Sequence, residues 1–346
     1  MRVAIAGCHR MLGRQPGSHN WAAAFDAVPD TRIVAVFDKG ADTRTQFVEC
    51  WSSPDRPIAA YDAFDAMLRD VHPDLLCIAT RQTMHADQIA RAADAGVRGI
   101  LCDKPLATSL AEVDQIVSTC RDSHIPLAFG LDRRWTTRYR WARQLIVDGA
   151  LGRVQTIIAY GLANVINHGC HWYDAALMLA GDPDVAWVSG FVDDVSADPP
   201  TSARRLDPSG RAQIALANGV TVYVTPDGRP GPAFEILGDR GRLLLLQDAR
   251  APYLWQHDTS AGSVPTPVPV EAPAVTEPWE AGPAAVADLV DAVRSGATTA
   301  CDLSEAYCAS AIGFAIHASS AAGGRRLTLS EVDPKLRIPS LPWGNE

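Results

Sequence analysis

The first third of the chain alternates short, wholly apolar runs with stretches of helical spacing. Val3–Ala6 is the first run, and a glycine-containing loop follows it. Trp21–Val28 has helical spacing, and Arg32–Phe37 is a second run that ends at Asp38. Tyr61–Asp70 reads as helix and Leu75–Ala79 as a third strand. His85–Ala95 is an Ala-rich helix stopped by Gly96, which suits a C-terminal cap. Gly99–Cys102, Ser109–Ser123 and Leu127–Gly130 complete the series as strand, helix and strand. Strands that are apolar at every position are covered on both faces, so this alternation predicts a parallel sheet between helices. Such a sheet binds ligands at the carboxyl ends of its strands.

Beyond residue 130 the period changes. Helices are predicted at Arg138–Asp148 and His171–Ala180, each followed by glycine, with a strand at Val154–Tyr160 between them. Strand-like runs then follow one another at Val185–Val192, Gln213–Ala217, Thr221–Thr225, Phe234–Leu237 and Arg242–Gln247. Asn218-Gly219 is a strong hairpin signal. Pro265–Pro283 reads as extended loop, and helices at Pro283–Ser295 and Ser304–Ala322 close the chain. The pattern predicts a doubly wound Rossmann domain over residues 1–127 and an α+β domain over 128–346, built on a large, mostly antiparallel open sheet. The cleft between two such domains is the default ligand site.

Composition narrows the function. Lysine and arginine number 31 against 40 acidic residues, a net charge of −9. With no basic run beyond isolated pairs, a nucleic-acid partner is not expected. No apolar stretch approaches the length of a membrane span, and the N-terminal apolar run is too short for a signal peptide. The eight cysteines show no CxxC spacing, so neither a zinc site nor any other metal is expected. Reduced, buried thiols fit a cytoplasmic protein.

The loop after the first strand, Gly7-Cys8-His9-Arg10-Met11-Leu12-Gly13, lacks the usual dinucleotide spacing: His9 and Leu12 stand where the second and third glycines would be. Gly7 still suits the tight turn, and Ser18 or Asn20 could cap the helix and leave its N-terminus for a phosphate. Gly7, His9, Arg10 and Met11 are therefore candidate cofactor contacts, against the reading of a plain connecting loop. Asp38 ends the second strand, where a carboxylate bonds the ribose hydroxyls and repels a 2′-phosphate. That favours NAD, while nearby Lys39 and Arg44 keep NADP as the alternative.

Five further stretches occur in a characteristic order: Ala79-Thr80-Arg81-Gln82-Thr83-Met84-His85, Asp103-Lys104-Pro105, Arg134-Trp135, Gly149-Ala150-Leu151-Gly152, and Gly169-x-His171-x-x-Asp174, with Leu237-Gly238-Asp239-Arg240-Gly241 later. Together they resemble the glucose–fructose oxidoreductase, inositol dehydrogenase and rhizopine-catabolism family (Gfo/Idh/MocA). The resemblance spans residues 1 to about 330. It implies a cofactor held by Thr80, Arg81, His85, Asp103, Lys104 and Pro105 as well as the first loop, with a cis bond before the proline. It implies a substrate hydroxyl oriented and polarised by Lys104 and a proton moved by His171. It also implies that the open face of the second sheet buries against another subunit, giving a homodimer or homotetramer.

Two departures stand out. The resembling dehydrogenases often carry Asp four residues before the active histidine, where this chain has Asn167, which can orient a hydroxyl but not ionise. His168 could take part of the role. Arg81 replaces a proline, and could pair with a phosphate or an acidic substrate or simply face solvent. Arg134, Trp135 and His168 are candidate substrate contacts, although Trp135, Trp172 and Tyr173 could equally be packing residues. The sequence thus predicts an NAD(P)-dependent oxidoreductase acting on a secondary hydroxyl of a sugar, inositol or sugar acid, with Lys104, His171 and Asn167 as the catalytic set. Two rivals stand beside it: a redox-neutral enzyme that uses tightly bound NAD for elimination or hydrolysis, and a non-catalytic dinucleotide-binding protein.

Overall fold

Every residue of β4 (Leu75–Ile78) and β5 (Gly99–Cys102) is buried, and so is β1 (Arg2–Ala6) from Val3 onward. These strands join β2 (Arg32–Phe37), β3 (Ala59–Tyr61) and β6 (Leu127–Phe129) in a wholly parallel sheet of order β3-β2-β1-β4-β5-β6. That order is the doubly wound dinucleotide-binding topology. The computed structural model describes residues 1–193, 207–227, 232–257, 265–277 and 279–338.

The helices of this part are α1 (Trp21–Asp26), α2 (Ala41–Trp51), α3 (Phe64–Val71), α4 (His85–Asp94) and α5 (Leu110–Asp122). Two elements carry little signal in the sequence. Helix α2 buries only Phe47 and Trp51, and β3 is a three-residue edge strand with no buried side chain.

The second sheet has eight strands in the order β14-β13-β12-β11-β7-β10-β9-β8. Here β7 is Val154–Tyr160, β8 Val185–Val192, β9 Gly210–Leu216, β10 Thr221–Thr225, β11 Ala233–Gly238, β12 Gly241–Leu246, β13 Ala251–Gln256 and β14 Thr266–Val268. All its pairings are antiparallel except β7 with β10. The Asn218-Gly219 turn links β9 and β10, and Asn218 Oδ1 accepts the Val220 N–H. Strand β14 lies within the Pro-rich stretch expected to be loop: an edge strand tolerates Pro267 because its outer side needs no ladder hydrogen bond.

Helices α6 (Thr137–Val147) and α7 (Gly169–Ala180) accompany this sheet, and the chain ends through α8 (Ala281–Ser295) and α9 (Leu303–Ala321). Two motifs that lie far apart in sequence interlock at its rim. Arg240 N–H donates to Leu151 O at 3.0 Å, and Arg153 N–H donates to Asp239 Oδ1 at 2.9 Å.

The chain divides into two compact units, Met1–Trp135 with Val275–Tyr307, and Thr136–Ala274 with Cys308–Glu346. Helix α8 therefore returns to the first unit. Its Asp288 accepts the Trp135 indole N–H at 2.8 Å, and Trp279, just before it, packs edge-on against Trp21 at 4.8 Å. A contiguous reading of the sequence could not foresee this return, because α8's apolar face does not say which sheet it covers.

Candidate active site

In the first unit the carboxyl ends of β1, β2, β4 and β5 gather four loops. Gly7 has a φ of +84°, and a Cβ there would come within 2.6 Å of Ala79 O, so the backbones after β1 and β4 meet where only glycine fits. Asp38 holds the same loop: Oδ2 accepts the Cys8 N–H at 3.0 Å and Oδ1 the Gly40 N–H at 2.9 Å. Arg44 donates to the Asp38 carbonyl, so this cation is tied to the backbone of that loop.

Asn20 caps α1 through its own side chain, accepting from Ala23 N–H, and its amide donates to Gly13 O and Gln15 O. Helix α1 is six residues long and begins at Trp21, directly after its Asn20 cap. His9 and Arg10 are exposed. Met11 is 1% exposed, and its carbonyl accepts the Trp51 indole N–H, so its side chain belongs to the core.

After β4, Thr80 donates to Gln88 Oε1 at 2.6 Å, and Arg81 is exposed. His85 is buried between two backbones, with Nδ1 3.0 Å from Leu106 O and Nε2 3.1 Å from Thr80 O. Burial pushes its pKa down, against both carbonyls, so the ring is neutral and donates to one of them at a time. It thereby ties the loop after β4 to the loop after β5.

That second loop carries Asp103, Lys104 and Pro105, and the Lys104–Pro105 bond is cis. Asp103 is buried. Desolvation would raise its pKa, but His19 and then Lys104 outweigh it and hold the carboxyl at about 2. His19 Nδ1 lies 3.0 Å from both Asp103 oxygens. Lys104 is half-buried.

In the second unit, the entry to α7 is pinned from several sides. The buried Asp207 carboxylate accepts the Ile166 and Asn167 N–H groups, each at 2.8 Å. Asn164 Oδ1 accepts the His168 N–H at 2.7 Å. Asn167 is 2% exposed, Asp174 is buried, and His168 and His171 are partly exposed. His171 and Asp174 share a helix face at i, i+3. Trp172 donates to Tyr160 O at 2.6 Å and Tyr173 to Val165 O at 2.9 Å; both rings are buried packing residues. Trp135 is likewise buried, with its N–H on Asp288, and Arg134 is buried beside it in the chain.

The structure thus gathers Gly7, Asp38, Thr80, His85, Asp103, Lys104 and Pro105 at one edge of the parallel sheet, and Asn167, His168 and His171 at the start of α7. Sequence reasoning missed His19, Asn164 and Asp207. Each acts on a partner distant in sequence or on a loop backbone, which no local spacing reveals. Among the described residues no group of three His, Cys, Asp or Glu side chains could hold a metal ion, and no helix is long and apolar enough to cross a membrane.

A parallel sheet of order 3-2-1-4-5-6, with a bare glycine turn after β1 and a carboxylate after β2, defines a dinucleotide-binding α/β protein. Residues 1–131 match the oxidoreductase family with an NAD-binding Rossmann fold, and residues 161–329 match its C-terminal alpha/beta domain. The chain belongs to this Gfo/Idh/MocA oxidoreductase family.

A trans-1,2-dihydrobenzene-1,2-diol dehydrogenase of Xenopus tropicalis is 22% identical over 255 residues, covering 68% of this chain and 74% of that protein. An oxidoreductase of Agrobacterium radiobacter, solved with NAD+, L-tartaric acid and magnesium, superposes with a TM-score of 0.77 at 20% identity, covering 95% of this chain and 98% of that one. A levoglucosan dehydrogenase, solved with NADH and levoglucosan, gives a TM-score of 0.75 at 17% identity over 96% of this chain and the whole of that one. The chain is an NAD-binding oxidoreductase, and a redox-neutral use of the cofactor is not favoured.

Proposed function

We propose that this enzyme oxidises a secondary hydroxyl of a sugar, inositol or sugar acid. The observation that carries the reading is Lys104, half-buried at the carboxyl end of β5 beside a buried carboxylate, in a sheet whose Gly7 turn and Asp38 fit a dinucleotide. The glycine at position 7 lets the loop after β1 pass close against the Ala79–Thr80 backbone at the carboxyl edge of the sheet, where such a group binds. Gly7, Asp38, Thr80, Asp103 and Lys104 would hold it, with exposed His9, Arg10 and Arg81 at the rim. Met11 and His85 would support it through packing and backbone contacts. When bound, the nicotinamide accepts or returns the hydride.

The protein's own residues supply position and proton handling. Lys104 donates to the substrate hydroxyl and polarises it. His171 takes the proton as the carbonyl forms, the general-base role that histidine fills most often. Asn167, fixed through its backbone by Asp207, offers its amide to a neighbouring hydroxyl. Arg134 and His168 complete our proposed substrate set, with Trp135, buried, next to Arg134 in the chain. By function we divide the chain at 127/128, with the cofactor on the first part and substrate selection on the second. Asp38 favours NAD over NADP by its charge.

We infer a homodimer or homotetramer formed through the outer face of the eight-stranded sheet. One row across it runs Gln213, Tyr223, Ile158, Glu235, Leu244 and Tyr253. Tyr223 and Tyr253 are 43% and 49% exposed and Phe191 is 50% exposed, large apolar groups for a free surface. Reduced buried cysteines fit a cytoplasmic enzyme.

A screen of polyols, aldoses and sugar acids with NAD+ tests the activity. With an accepted substrate, Lys104→Ala should lower kcat by about 10²–10⁴-fold while NADH still binds, as expected for loss of acid–base assistance. Wild-type kcat in that variant would sink the assignment.

A further inference from the structure

The loop after β1 is longer than a dinucleotide turn needs, and it ends by delivering a histidine to the site. His19 adopts a φ of +69°, a left-handed conformation that non-glycine residues rarely take. Asn20 beside it is anchored to the helix start and to two loop carbonyls, so the backbone holds His19 in this conformation. The result is an imidazole Nδ1 3.0 Å from each oxygen of Asp103.

Asp103 is fixed in turn. Its N–H donates to Ile78 O at 2.7 Å. A Cβ at residue 130 would stand 3.0 Å from Asp103 Oδ1 and 3.1 Å from the Trp21 ring, so glycine there opens the space that the carboxylate fills. All these groups belong to the first unit.

We propose that His19 is a positioning residue for Lys104: by engaging both oxygens of Asp103, it draws off part of the field that this carboxylate places on the lysine amine. The proposal rests on the reading that Lys104 works on the substrate hydroxyl. An anion next to a lysine stabilises the ammonium and makes it a poorer proton carrier near neutrality. His19 opposes that effect, and it ties the cofactor loop to the catalytic lysine through a single carboxylate. The other titratable groups facing Asp103 are His85, Cys77 and Cys102. Burial keeps His85 and both thiols neutral, so they do not balance the carboxylate.

The chain has three lysines, Lys39, Lys104 and Lys335. Reductive methylation with carbon-13 formaldehyde therefore gives a spectrum simple enough to titrate each amine by NMR, with assignment by Lys→Arg variants. His19→Ala should raise the Lys104 midpoint by about one pH unit, because the carboxylate beside the lysine loses the hydrogen-bond partner that both its oxygens share. His19→Asn, whose Nδ2 can stand where Nδ1 stood, should recover part of the shift, and it carries the test if the alanine variant does not fold. Asp103→Asn should lower the midpoint and abolish any effect of changing His19. An unmoved Lys104 in both His19 variants overturns the proposal. So does a shift that persists in the Asp103→Asn background, because His19 would then act by another route. The titration needs neither substrate nor turnover. A shifted Lys104 in a protein with no dehydrogenase activity would overturn the functional reading and leave the coupling standing, and the reverse result would overturn the coupling alone.

Discussion

The two sheets of this protein solve the burial problem differently. In the parallel sheet β1, β4 and β5 hide nearly every side chain, because helices cover both faces. In the second sheet burial alternates: Val222 and Val224 are buried, whereas Tyr223 between them is 43% exposed. A sheet covered on both faces can keep only its strand ends for chemistry, so its functional groups sit in the loops at its carboxyl edge. A sheet with an open face has a second surface free for association.

The sharpest way to break this comparison is to put one charge into each sheet. Leu76→Asp in β4 removes a fully buried side chain and strands a carboxylate between helices. It should cost about 5 kcal/mol or more, and the protein should fail to fold. A soluble, cooperatively melting Leu76→Asp protein would show that the parallel sheet is less enclosed than described.

An intermediate effect comes from His317 in α9. Its Nε2 is buried with no hydrogen-bond partner, and burial lowers its pKa to about 4 from the ordinary 6.5. Between those values the unfolded chain takes up a proton that the folded chain refuses, so stability falls as pH drops from about 6.5 to about 4. The full loss is about 3 kcal/mol. His317→Leu should remove that slope, which urea titrations at pH 7 and pH 5 would reveal. An unchanged pH dependence would rule out His317 as its source.

The smallest effect on stability should come from Tyr223→Asp on the open face, within about 0.5 kcal/mol for the isolated subunit. Its readout is the mass. Light scattering should find the wild-type chain as a dimer or tetramer and the variant as a smaller species. A wild-type mass equal to one chain would refute the use of this face.

Much of the candidate site was legible because it is local. Asp103-Lys104-Pro105 follows an apolar strand, and Gly169-x-His171-x-x-Asp174 opens a helix, so chain order alone marks both. Asp38 follows from its place at the end of β2. The aromatic residues were ambiguous: a tryptophan beside a catalytic motif can face a ligand or the core, and Trp135 and Trp172 turn out to spend their indole N–H groups on Asp288 and a backbone carbonyl. Met11 and His85, read as cofactor contacts, lie buried. Loop neighbours in sequence point in opposite directions, and no periodicity tells them apart.

By itself the sequence determined the class of each sheet and the order of the elements that carry the candidate groups. Hydrophobic period and turn chemistry act over a few residues, and these features need nothing longer. Tertiary structure alone decided that α8 serves the first unit, that Asp207 holds the backbone of Asn167, and that His19 meets Asp103. Each is a contact between residues tens to hundreds of positions apart, and such contacts exist only once packing has brought the two segments together.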